Sequence, residues 1–209
     1  MQVKPRMWAL EAPLVLASRS CSRLTLLQAA GFEVEVLPAN VDERLIEADY
    51  VATKRTSRAL AEALAETKAL TISMLRPEAY VLGADQTLTC EGRLLHKPAD
   101  LTEAHKTLTT LEGRTHTLIS AYCVARGGRV LSADVDCALL RMRPLGAEQI
   151  SGYLTFAGPD IISSVGAYQI EGIGMHLFEK VQGDHSTILG LPMLKLLAWF
   201  RGEGLLALR

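Results

Sequence analysis

The chain has 209 residues, 22 basic against 23 acidic, for a formal net charge of −1, and apolar residues make up 49%. That is enough apolar side chain for one sizeable core. The charge balance excludes the basic excess expected of a nucleic-acid binder. The apolar run from Ala12 to Ala17 is too short to cross a membrane and lacks a signal-peptide layout, so the expected compartment is the cytoplasm, with no membrane partner. Cys21, Cys90, Cys123 and Cys137 show no paired metal or redox spacing; they are expected to be reduced thiols, mostly in the core.

In chain order, Leu14 to Ala17 reads as a short buried strand. The polar turn Ser18-Arg19-Ser20 follows, then a helix carrying Leu24, Leu27 and Ala30 and stopped by Gly31. Val34 to Leu37 alternates like a second strand, and the polar segment 39–56 reads as loop. A helix is predicted from Ser57 to Met74, and a strand from Tyr80 to Ala84 that ends on Asp85. Gly92 marks a hairpin turn, and Asp100 with Glu103 has the spacing of a capping box before a helix closed by Gly113. Two long strands, 115–125 and 130–142, are joined at Gly127-Gly128. A helix near 147–155, a strand over 175–181 and a helix over 192–201 complete the reading. Early alternation of strands and helices followed by a long hairpin predicts an α/β fold with a mixed twisted sheet. No linker, repeat or domain boundary is visible.

Five places could carry chemistry. Ser18 to Arg23 lies between a strand and a helix N-terminus, where free N–H groups, hydroxyls and guanidinium groups suit a phosphate; a plain serine cap is the alternative. Asp85 at a strand end could hold a metal or act as a base, or merely sit in a turn. Lys68 continues the apolar stripe of Leu60 and Leu64, so it either snorkels to water, the expected behaviour, or needs an anion. Lys97 beside Pro98 could reach a phosphate, and Asp42-Glu43 offers the oxygens a hard cation wants, although each also reads as ordinary surface. The five histidines have no metal-ligand spacing, and no nucleophile elbow or phosphate-cradling glycine loop is present.

Taken together the fragments resemble the Maf family. They run Leu16-Ala17-Ser18-x-Ser20 with Arg23, then Val41-Asp42-Glu43, Leu64-Ala65-x-x-Lys68-Ala69, Gly83-Ala84-Asp85 and Lys97-Pro98. Gly113-Arg114-Thr115-His116, Gly166-Ala167-Tyr168, Glu171-Gly172, Gly183-Asp184 and Gly190-Leu191-Pro192 follow in order. The resemblance covers about residues 13 to 204 and implies a single Maf-like domain over 1–209. It implies two lobes around a nucleotide cleft, related to inosine triphosphate pyrophosphatases, and a homodimer. The implied reaction hydrolyses a nucleoside triphosphate to monophosphate and pyrophosphate with Mg or Mn, and the resemblance implies a house-cleaning role on modified nucleotides. In that family's pattern Ser18, Arg23, Lys68 and Lys97 contact substrate phosphates, Glu43 and Asp85 hold the metal, and Asp85 is the catalytic proton acceptor. The alternative is a nucleotide-binding regulator of septum formation without turnover.

The pattern departs at the turn, where Ser20-Cys21-Ser22-Arg23 replaces the family's usual Ser-Pro-Arg-Arg or Ser-Pro-Trp-Arg. Ser22 therefore stands at a position tied to base selectivity. Gln86 and Glu171 resemble the branch acting on 7-methyl-GTP rather than the dTTP/UTP branch. An ionised Glu171 can accept two adjacent donors of guanine and favours a ring made cationic by methylation, so a guanine-type substrate is expected.

Overall fold

A computed structural model describes residues 6–208. Its elements are β1 (Leu14–Leu16), α1 (Cys21–Ala29), β2 (Glu35–Val36), α2 (Glu43–Ala52), α3 (Ser57–Leu75), β3 (Tyr80–Cys90) and β4 (Arg93–Leu95). They continue with α4 (Leu101–Leu111), β5 (Thr115–Arg126), β6 (Arg129–Met142), α5 (Gly146–Ala157), β7 (Phe178–Gln182), α6 (His185–Ile188) and α7 (Met193–Gly202). Short 3-10 turns cover Pro159–Ser163 and Ile173–Leu177. The strands form one mixed sheet in the order β2-β1-β3-β5-β6-β7, with β4 paired to β3. β1 runs parallel to both β2 and β3, whereas β4 and β7 are antiparallel to their neighbours.

The fold contains two compact units. The first comprises 1–86, 119–136 and 184–209; the second comprises 87–118 and 137–183. The divisions fall inside β3 and β6 and where β5 passes from one unit to the other. No composition change could have marked them.

In the first unit the two faces of the sheet are built by the period-two alternation of its strands. Leu14, Leu16, Leu82 and Ala84 face one side with Tyr122 and Val124, in a core shared with Leu27 of α1 and Leu196 and Phe200 of α7. Trp8 stacks edge-on against Phe32 and Phe200 in the same core. The opposite face meets α3, whose Ala61, Ala65 and Ala69 pack with Ala121, Cys123 and Ala125 of β5. Small residues on both sides let the α3 axis approach the sheet closely. At Gly83 the approach is closest: a Cβ there would lie 2.2 Å from the Ala65 carbonyl oxygen and 2.6 Å from the Ala69 nitrogen.

In the second unit α4 packs on α5. Asp100 caps α4 through the Glu103 N–H, and the Glu103 carboxylate returns to the Ala99 N–H. The capping-box residues are thus used, with the return bond one residue further out than the usual form. In the first unit the β5–β6 hairpin turns at Gly127 and Gly128, both at positive φ (55° and 74°), as a two-residue turn of this hand requires.

Three expectations need correction. The polar segment 39–56 contains α2, started by Asp42, whose carboxylate accepts from the Leu45 N–H. None of its residues is buried, and Leu45 and Val51 are exposed, so the helix has no buried stripe. β3 does not stop at Asp85 but continues to Cys90, because the chain stays extended through a change of partners rather than turning. Half of the cysteines are in the core, not most: Cys90 and Cys123 are buried, while Cys21 and Cys137 are exposed. All four are free thiols.

Candidate active site

The continuation of β3 decides where Asp85 points. Val81 and Gly83 face α3, so Asp85, two residues further, faces α3 as well. On the helix, Lys68 lies one turn beyond Leu64 and two beyond Leu60, on the buried stripe. The two side chains meet. Lys68 Nζ donates to Asp85 Oδ1 at 2.5 Å, and Lys68 is 7% exposed and Asp85 8%. Lys68 Nζ also lies 2.7 Å from Glu43 Oε1, at the first residue of α2. Lys68 therefore does not snorkel. It is held among the core residues of α3 because two carboxylates supply the anions that water would otherwise replace.

Two carboxylate oxygens facing one cation form a hard oxygen set. No third His, Cys, Asp or Glu joins them among the described residues. Such a donor set fits an ion of the Mg class, which takes one or two carboxylates and completes its shell with water and substrate phosphate. The Glu43 side chain is 56% exposed and gives the set an open side.

Arg23, on α1, is buried beside this group. Its Nε donates to the Gly190 carbonyl at 2.8 Å, and its Nη1 donates to Ser18 Oγ at 3.0 Å and the Ala84 carbonyl at 2.9 Å. Burial pulls the guanidinium below its ordinary value, while the charges of Asp85 and Glu43 act in the opposite sense. Arg23 thereby ties the loop after β1, the strand carrying Asp85 and the loop before α7 to one point. Ser18 Oγ also accepts from the Ser20 N–H at 3.2 Å, and Ser20 caps α1 through the Arg23 N–H. Ser22, half-buried, sits in the first turn of α1.

Gln86 faces the opposite side of β3 from Asp85. Its Nε2 donates to Ser120 Oγ at 2.9 Å and to the Thr187 and Ile188 carbonyls at 3.1 and 3.0 Å, at the end of α6. Ser120 Oγ itself donates to the Thr187 carbonyl at 2.7 Å. Ser120 and Thr187, the partners of Gln86, escaped the sequence reading. One signal was available: Ser120 is a polar residue in the apolar run Leu118 to Tyr122, and a buried hydroxyl there needs a partner.

The structure thus brings Ser18, Arg23, Glu43, Lys68 and Asp85 together in the first unit, with Gln86 behind them. Lys97 and Glu171 belong to the second unit, and both are exposed.

With the geometry in place, comparison with known proteins decides the family. The family model described as Maf-like protein matches residues 13–203. The chain belongs to the Maf family. It is 47% identical over 201 residues to a nucleoside triphosphate pyrophosphatase of Nitrobacter winogradskyi, covering 96% of this chain and 98% of the relative. It is 45% identical over 190 residues to a 7-methyl-GTP pyrophosphatase of Brucella abortus, covering 91% and 96%. Among solved structures, a dITP/XTP pyrophosphatase of Mycobacterium abscessus matches at 16% identity and TM-score 0.42, over 92% of this chain and 95% of that one.

Proposed function

We propose that this Maf-family chain hydrolyses nucleoside triphosphates to the monophosphate and pyrophosphate, and that the Glu43–Lys68–Asp85 cluster is its reaction centre. The supporting observation is a buried lysine shared by two carboxylates from separate elements, one of them partly open to solvent. A cluster needed only for folding gains little from a buried ion pair that a hydrophobic set could replace. The relatives named as triphosphate pyrophosphatases span nearly the whole chain.

Asp85 is the proton acceptor. Its position on β3 is fixed by strand register and by the Arg23 bond to the neighbouring Ala84 carbonyl, so it can hold and deprotonate a water aimed at the α-phosphorus. Lys68 offers its ammonium to the charge that grows on the departing pyrophosphate, and Lys97 keeps the phosphate-contact role that the family pattern gives it. Ser18 and the α1 N-terminus receive the phosphate chain. Arg23 fixes the frame and adds its positive field. Glu43 and Asp85 would hold a Mg or Mn ion, which supplies charge neutralisation of the triphosphate and acidification of a bound water. A homodimer and a cytoplasmic setting belong to the same reading. No helix among the described residues is long and apolar enough to cross a membrane.

For the base, Glu171 on its exposed turn is the reader. An ionised carboxylate pairs with the adjacent ring N–H and amino group of guanine and cannot donate to uracil or thymine. The relatives' names divide between a general triphosphate and 7-methyl-GTP. The test is kcat/KM for 7-methyl-GTP, GTP, UTP and dTTP, in the parent and in Glu171→Gln. Guanine-type nucleotides should lead, and the substitution should shift the ranking toward UTP. A parent that favours UTP or dTTP would overturn the assignment.

A further inference from the structure

Glu171 sits at the third position of a turn in which the Gly172 N–H donates to the Gln169 carbonyl at 3.2 Å. The back of that turn is closed by Gly174, where a Cβ would lie 2.4 Å from the same Gln169 oxygen. The Met175 N–H then donates to the Gly172 carbonyl at 3.1 Å. The turn is therefore internally stiff, and its placement depends on the residue at its root, Tyr168.

Tyr168 is buried and held at several points. Its hydroxyl lies 2.7 Å from His116 Nε2 on β5. Its ring packs edge-on against Phe178 with centroids 4.8 Å apart. Its carbonyl accepts from Ser164 Oγ at 2.6 Å. Beneath the ring lies Gly166, where a Cβ would come within 2.2 Å of the aromatic edge, and Ala167 takes a positive φ of 55° to bring the chain around it. A non-glycine residue in that backbone region is strained and persists only where surroundings enforce it. Among the described residues His116 Nδ1 has no hydrogen-bond partner, so the ring commits its one polar bond to Tyr168. The Tyr168 hydroxyl and His116 Nε2 are thus paired with each other at the base of an exposed acid-bearing turn. A purely apolar pair would fill the same space without fixing the angle of the Tyr168 backbone.

We infer that Tyr168 and His116 are positioning residues for nucleotide selection, setting where the Glu171 carboxylate meets the base. This rests on the reading of Glu171 given above. Neither residue contacts the base itself; both act through the turn 169–172.

The experiment uses Tyr168→Phe, which keeps the ring against Phe178 and removes only the hydroxyl. Steady-state pyrophosphate release is measured with 7-methyl-GTP, GTP and UTP for the parent, Tyr168→Phe, Glu171→Gln and the double variant. Tyr168→Phe should raise KM for the favoured guanine nucleotide by about tenfold, the scale of one misplaced charge-assisted hydrogen bond. The kcat should stay within about twofold, and UTP kinetics should stay near the parent's, since only a Glu171 contact is displaced. In the double variant the hydroxyl should have no further effect on discrimination, because its route through Glu171 is gone. Ser164→Ala, which removes the second anchor of Tyr168, should act in the same direction if Tyr168→Phe folds poorly. A Tyr168→Phe enzyme that melts earlier but keeps its guanine-to-uracil ratio, alongside a Glu171→Gln enzyme that loses it, overturns this inference and leaves the Glu171 reading intact. A Glu171→Gln enzyme with an unchanged ratio overturns both.

Discussion

Lys68 shows what a single side chain reveals before and after folding. In sequence it is a lysine on an apolar stripe, and such lysines ordinarily reach water along their stems. Here two carboxylates prevent that, and neither is near it in sequence: Glu43 is 25 positions away and Asp85 is 17. The partnership was invisible to local pattern and visible only through the family's ordered fragments. Lys68→Met should abolish most turnover. It should also lower stability by about 3 kcal/mol, the lower end for breaking a buried pair, because Asp85 is left without its counter-ion. Rate and melting temperature measured together check this; a variant with a normal rate and a slightly altered Tm would return Lys68 to a purely structural role. Asp85→Asn keeps the shape and removes the proton acceptor, so turnover should fall by about 10²-fold or more. Circular dichroism should show the fold intact, and near-parent turnover would move the chemistry elsewhere.

At the scale of elements, alternation along β3 carries the site. Residues 81, 83 and 85 face α3 while 82, 84 and 86 face the other side, so one strand presents Asp85 to Lys68 and Gln86 to α6. The apolar run was legible as far as Ala84. Its continuation was not, since a strand whose face changes from apolar to ionic partners loses the pattern that marks it. α2 was hidden for the complementary reason: none of its residues is fully buried, and its Asp42 cap was the signal that distinguished it from loop. The long hairpin was legible from Gly127-Gly128 between its strands, and α3 from its apolar stripe at Leu60 and Leu64. Gly83 sets the spacing of β3 and α3. Gly83→Ala forces a Cβ against backbone atoms of α3, which cannot move as a flexible side chain can. It should cost about 3 kcal/mol, the upper range for overpacking, and reduce turnover by shifting Asp85 from Lys68. A denaturant titration with parallel kinetics tests it, and a parent-like midpoint would contradict the close packing of these elements.

For the whole molecule, stability should depend on pH through His116. Burial pushes its imidazole down to about 4, against an ordinary value of 6.5. The folded protein thus keeps His116 neutral while the unfolded chain takes up a proton below 6.5. The stabilising contribution is complete above that value and is lost progressively as pH falls from 6.5 toward 4. The scale is at most about 3 kcal/mol. His116→Gln should flatten the dependence of unfolding free energy on pH in that window, and a slope equal to the parent's would rule His116 out as its source. The division into two units could not be read from the sequence because three of its four cuts fall inside strands, β3, β5 and β6. The reaction class was legible, because ten short fragments in order constrain the chain more than any one of them. The reaction products give the most direct test of the proposed cleavage. Purified protein, with Mg or Mn and GTP or 7-methyl-GTP, should release the monophosphate and pyrophosphate in equal amounts on chromatography, and Asp85→Asn should release neither at a comparable rate. Diphosphate with orthophosphate, or intact nucleotide bound without turnover, would contradict it.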